Sequence, residues 1–139
     1  MVKVEVTLVQ PDYGFEAKDA GNITARFDNA ISGGGKGFGV SPMQSLLMAL
    51  GSCSGIDVVS ILHKKRQQID SYKMIIEGLR EQNKEPALWE KIHVIFQLSG
   101  NIEEEKALHA ITLSIDKYCS VAETLRRAGC VISWELQLN

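Results

Sequence analysis

The sequence predicts an α+β domain in which a mostly antiparallel sheet packs against one long, central, buried helix. Three observations predict it. Several stretches alternate apolar and polar residues with the period of half-buried strands. One segment, Ser41 to Gln67, is nearly continuous in apolar or small residues and opens like a helix. The order of elements is strands, long helix, two strands, two helices, strand, which is an α+β pattern. A chain of 139 residues fits a single domain covering 1–139.

The elements follow in order. Val2 to Val9 alternates strictly, Phe15 to Ala17 and Ile23 to Phe27 follow after turns at Pro11-Asp12 and Asp19–Asn22, and the three form an antiparallel meander. Gly33 to Gly39, rich in glycine, is expected to be a flexible connection. Ser41 and Gln44 have the spacing of a capping box, with Pro42 at the first helical position. From Leu46 to Leu62 no stripe is left for water, so the helix is expected to be buried all round; Asp57 and two serines interrupt a run shorter than the ~20 apolar residues of a membrane span. His63, Lys64, Lys65 and Arg66 mark its exit to solvent. Tyr72 to Leu79 and Trp89 to Leu98 are two strands, the second with Ile92, Val94, Phe96 and Leu98 on one face. Asn101 is expected to cap a helix over Glu103 to Lys117 with Leu108, Ile111 and Ile115 as its buried stripe. A second capping pattern at Ser120 starts a short helix ending at Gly129, and Cys130 to Leu138 is the last strand. A helix apolar all round needs more cover than one small sheet, which argues for a second subunit.

Composition narrows the functional classes. The net charge is −2 with charges dispersed, so no nucleic acid or anionic membrane surface is indicated as a partner. The N-terminus has no signal-peptide pattern, and three widely spaced cysteines are not a disulfide framework, so a cytoplasmic protein with reduced thiols is expected. The glycine stretch fails both nucleotide patterns: Lys36 is followed by Gly37 rather than Ser or Thr, and Val40 stands where a third glycine is needed. His63, His93 and His109 are isolated and have no metal-ligand spacing with a cysteine or carboxylate.

The cysteines are the remaining candidates. Cys130 lies on the inward face of a strand and reads as a small core residue. Cys119 immediately precedes a helix N-terminus, where backbone N–H groups favour a thiolate, although an inert role also fits. Cys53 lies mid-helix, about 18 Å from the helix start, with Asp57 one turn on to oppose ionisation and no basic residue between Ser41 and Leu62. Its surroundings fit an inert buried cysteine better than a nucleophile. An activating cation would have to come from Arg26, Lys36 or a partner subunit.

Taken together, SPMQSLLMALGSCSGIDVVSIL around Cys53 and KYCSVAETLRRA around Cys119 resemble the two cysteine signatures of the OsmC/Ohr family, closest to its OsmC-like branch. The resemblance runs from about Gly39 to the C-terminus. It implies an OsmC-like fold in an intertwined homodimer and a thiol-dependent peroxidase acting on organic hydroperoxides. In that scheme Cys53 is the peroxidatic thiol and Cys119 the resolving thiol, an external dithiol is the reductant, and no metal, haem or flavin takes part. The family's peroxidase branch carries a glutamate after the proline that holds an activating arginine; Met43 stands there in this chain. That departure supports an alternative, a non-catalytic OsmC-like dimer that binds a small apolar ligand or has a structural role.

Overall fold

The computed structural model describes all 139 residues, Met1 to Asn139. Its internal contacts gather into two units, Met1–Leu46 and Leu47–Asn139.

The first unit contains the expected meander. Strands β1 (Glu5–Gln10), β2 (Gly14–Lys18) and β3 (Thr24–Phe27) form an antiparallel sheet in that order. Regular pairing starts at Glu5 rather than Val2, and β3 starts one residue late. Ile23 is drawn into the preceding turn, where its N–H and that of Gly21 donate to Asp19 Oδ1 at 2.9 and 2.8 Å. The glycine stretch is not a loose connection. The buried carboxylate of Asp28 accepts the N–H groups of Lys36 (2.9 Å) and Phe38 (3.0 Å) on one oxygen and that of Asn29 (2.7 Å) on the other. These bonds hold its carboxyl below the usual 3.8, and they fill the donors that an external anion would need.

Helix α1 (Pro42–Lys64) starts and ends where the sequence places it, and the Ser41 carbonyl accepts the Ser45 N–H at 3.0 Å. By length and hydropathy it could cross a membrane, but one face is used inside the fold. Leu50, Val58 and Leu62 are fully buried, each removal from water contributing ~1.5–3 kcal/mol. The expectation of burial on every side does not hold for this single chain: Met48 is 50% exposed and Ile56 67%.

The second unit is built on a sheet ordered β4 (Gln68–Arg80), β5 (Trp89–Asn101), β6 (Val131–Leu138). β4 and β5 are an antiparallel hairpin, longer than predicted at the α1 end. β6 pairs with β5 in parallel, Val94 opposite Trp134 and Phe96 opposite Leu136, so this sheet is mixed. Ile92, Val94, Phe96 and Leu98 form the buried face as the alternation predicts, and Phe96 meets Trp134 edge to face at 6.2 Å. Helix α1 comes close to β4 through two glycines. A Cβ on Gly51 would stand 2.8 Å from Ile76 Cδ1, and one on Gly55 2.7 Å from Met74 Cε.

The crossover from β5 to β6 carries α2 (Glu104–Leu113), a wide π-turn (Ser114–Tyr118) and α3 (Ser120–Arg127). Asn101 is the end of β5 rather than a helix cap; Glu103 takes that place, its N–H donating to Gln67 Oε1 at 2.8 Å. The helix turns Ala107, Ala110 and Ile111 inward and leaves Leu108 39% exposed, because Ala107 and Ala110 permit a closer approach than the leucine stripe would.

Candidate active site

Three elements converge on one cluster within Leu47–Asn139. Cys53 and Asp57 are one turn apart on α1, so both side chains lie on the same face. Cys119 is the N-cap of α3, extended at φ −73° and ψ 102°. The Cys53 and Cys119 sulfurs and an Asp57 carboxylate oxygen all lie within 4.8 Å of one another. Cys53 is half-buried and Cys119 is 2% exposed.

The cap differs from its expected form. The Ser120 pattern leads to a helix beginning at Ser120, but the capping acceptor is the sulfur of Cys119, which receives the Ala122 N–H at 3.4 Å. The helix is ended by Gly129 at φ +96°.

The turn before it positions the sulfur. The Cys119 N–H reaches back five residues to the Ser114 carbonyl at 2.7 Å, the widened spacing of a π-turn. The fully buried Ser114 hydroxyl points the other way, to Asp57 Oδ2 at 3.0 Å and to the Ser54 carbonyl at 3.3 Å. One residue therefore links the backbone of Cys119 to the helix that carries Cys53.

Electrostatics act on the Cys119 thiol. Burial pushes the Cys119 thiol up to about 11 from an ordinary 9.0; the Ala122 N–H opposes this, while the hydrogen bond and charge of Cys53 raise it further. Cys119 therefore holds its proton well above neutral pH. Cys130, also buried, has its thiol raised by desolvation and lies outside the cluster, its sulfur against the Val131 carbonyl at 3.8 Å. The cations named from sequence are engaged inside Met1–Leu46: Arg26 with Glu16 at 3.6 Å and over the Phe38 ring at 5.2 Å, Lys36 with Asp12 at 2.8 Å. Arg126 and Arg127, on α3, both pair with Glu123. Around the sulfur pair stand the Ala122 N–H and the Asp57 carboxylate; Cys119 also lines a cavity with Lys117, Arg126 and Arg127, and Asp57 lines another with Lys64 and Lys65.

None of the three histidines belongs to the cluster, although His109 lines a cavity together with Asp57. His63 and His109 are exposed, and His93 bonds Ser133 (2.8 Å) and Glu135 (3.3 Å) across the sheet. Sequence reasoning noted Asp57 only as a deterrent to ionisation and missed Ser114 and Tyr72. The Tyr72 hydroxyl oxygen is buried without a partner, and burial followed by the Asp57 charge holds its proton far above the usual tyrosine range. A serine in a helix and a tyrosine in a strand carry no sequence signal of such roles.

A family model described as OsmC-like protein matches residues 33–135, a stretch that contains the whole cluster. The chain belongs to the OsmC-like family. It is 40% identical over 89 residues to protein YhfA of Escherichia coli strain K12, the match covering 63% of this chain and 66% of YhfA. A solved hypothetical protein from Aquifex aeolicus VF5 is 33% identical, with a TM-score of 0.82 over 100% of this chain and 98% of that one. The organic hydroperoxide resistance protein OhrB of Bacillus subtilis is 14% identical and superposes with a TM-score of 0.63 over 99% and 98% of the two chains. At that identity the likeness is one of fold. With an OsmC-like fold established, the resemblance of the two cysteine segments is borne out at the level of family.

Proposed function

We propose that this OsmC-like protein is a thiol-dependent peroxidase for organic hydroperoxides, a cytoplasmic homodimer that works with Cys53 and Cys119 and without a bound cofactor. The observation that supports it is the juxtaposition of two thiols, 66 positions apart in sequence, within 4.8 Å. The Cys53 thiolate attacks the peroxide O–O bond; the sulfur gains one oxygen as sulfenic acid, and the other oxygen leaves with a proton as the alcohol. The Cys119 thiol then displaces water from the sulfenic acid and closes a disulfide, which an external dithiol reduces to restore both thiols. In that second step the Cys119 proton leaves with the sulfenic acid's oxygen as water. A disulfide also needs the two Cα atoms within about 7 Å, and the sulfurs already lie within 4.8 Å of each other.

The test is mass spectrometry of thiol oxidation after titration of the reduced protein with cumene hydroperoxide, compared with hydrogen peroxide. One equivalent of cumene hydroperoxide should consume two thiols per chain and yield a Cys53–Cys119 disulfide. Cys53→Ser should abolish consumption, and Cys130→Ser should leave it unchanged. A Cys53→Ser variant that consumes peroxide at the wild-type rate would falsify the reading.

A second reading is favoured by a cavity of about 420 Å³ beside α1, lined by Ser52, Gly55, Ile56, Val59, Tyr72 and Met74. Its walls are mostly apolar, as a site for a small apolar ligand would be. Thermal stabilisation by such a ligand, with no peroxide turnover, distinguishes this reading from the first.

A further inference from the structure

We propose that Cys53, Asp57 and Cys119 together bind a thiophilic divalent cation, with zinc as its reference member. The inference needs only the reduced thiols and goes beyond peroxide chemistry. Two sulfurs and one carboxylate oxygen are a borderline-soft donor set of the kind zinc accepts. Donor atoms around a tetrahedral zinc stand roughly 3.5–3.8 Å apart, and these three lie within 4.8 Å of one another, so each has to draw in by only about an ångström. Two of the three come from one rigid helix face at a spacing of one turn, and the third is fixed at the start of another helix.

The supporting shell fits a ligand set. Ser114 donates to Asp57 Oδ2 at 3.0 Å, orienting the carboxylate, and Ala122 donates to the Cys119 sulfur at 3.4 Å. Such outer bonds fix and tune ligands in metal sites. Near Asp57 a buried Tyr72 hydroxyl is left without a partner. Binding balances as one zinc ion and two thiols giving a bis-thiolate carboxylate complex and two protons. With both sulfurs ligated, neither attacks a peroxide and no disulfide closes, so metal occupancy and oxidation of the pair exclude each other.

The experiment is titration of the reduced full-length protein with zinc chloride against a chromophoric chelator, with cobalt(II) as a spectroscopic substitute. One ion per chain is expected, with up to two protons released and a cobalt spectrum showing thiolate charge transfer and tetrahedral ligand-field bands. Asp57→Asn and Cys53→Ser should each weaken binding by about tenfold or more; Cys130→Ser should not. Zinc should also slow iodoacetamide modification of Cys53 in the wild-type protein, a readout that stands if the variants do not fold. Absence of stoichiometric binding overturns the proposal, as does an Asp57→Asn variant with wild-type affinity, or Cys53 alkylation that zinc leaves unchanged. Because these measurements use no peroxide, failure of the peroxidase reading would show separately.

Discussion

At the scale of single residues, Cys119 is bonded both as a cap and as a thiol. Its native proton affinity is raised to about 11 against an ordinary 9.0. Above pH 9 the unfolded chain releases a proton that the native state keeps, so stability present at lower pH is lost as pH rises towards 11. Cys119→Ser removes this linkage, and its urea midpoint should fall less steeply over that interval than the wild type's. Ser114 invites a different substitution. Ser114→Ala leaves the half-buried Asp57 carboxylate without this donor, which should cost about 0.5–1.5 kcal/mol in chemical denaturation, and should slow disulfide formation after peroxide although neither sulfur is touched. If stability drops while the oxidation rate holds, Ser114 supports the fold and not the spacing of the pair. Legibility differed sharply among these residues. The position of Cys119 before a helix could be read because capping has a sequence pattern. That its sulfur is itself the capping acceptor could not, since serine at 120 fits the usual preference better.

Among the elements, α1 and β4 show how small residues decide an interface. Alanine at Gly51 would gain about 0.8–1 kcal/mol in helix propensity, set against the shift it forces on Ile76 at 2.8 Å. The two effects are of similar size, so Gly51→Ala should be near neutral by thermal denaturation. Gly51→Val adds bulk that cannot move aside, and overpacking of this kind costs typically 1–3 kcal/mol. A valine variant as stable as wild type would mean that β4 is free to retreat. The helix itself was readable from its capping pattern and continuous apolar run, and the β4–β5 strands and the buried face of β5 from alternation. The parallel pairing of β6 was not read, although the connection allows it: a crossover holding two helices is long enough to return the chain to the same end of the sheet, which a hairpin is not. The π-turn leaves no trace in residue pattern, because it is set by how the turn must widen to satisfy both Ser114 and Cys119.

For the molecule as a whole, the sequence argument for a second subunit rested on a helix with apolar residues on every side. The single chain leaves Met48 and Ile56 of that helix bare. In the proposed homodimer these residues are covered, and sedimentation velocity should report a dimer at micromolar concentration. Ile56→Glu places a charge on that face and should shift the protein to monomer; a dimer that tolerates the glutamate would put the interface elsewhere.

The bare stripe on α1 has one more effect. When cover for a hydrophobic helix comes from another molecule, folding and association share a single equilibrium, and the folded fraction depends on how many molecules are present. Diluting such a protein acts as a mild denaturant. Its melting temperature should climb with each tenfold rise in concentration, and a scarce supply of chains would limit the protein's lifetime before any peroxide or metal reached it.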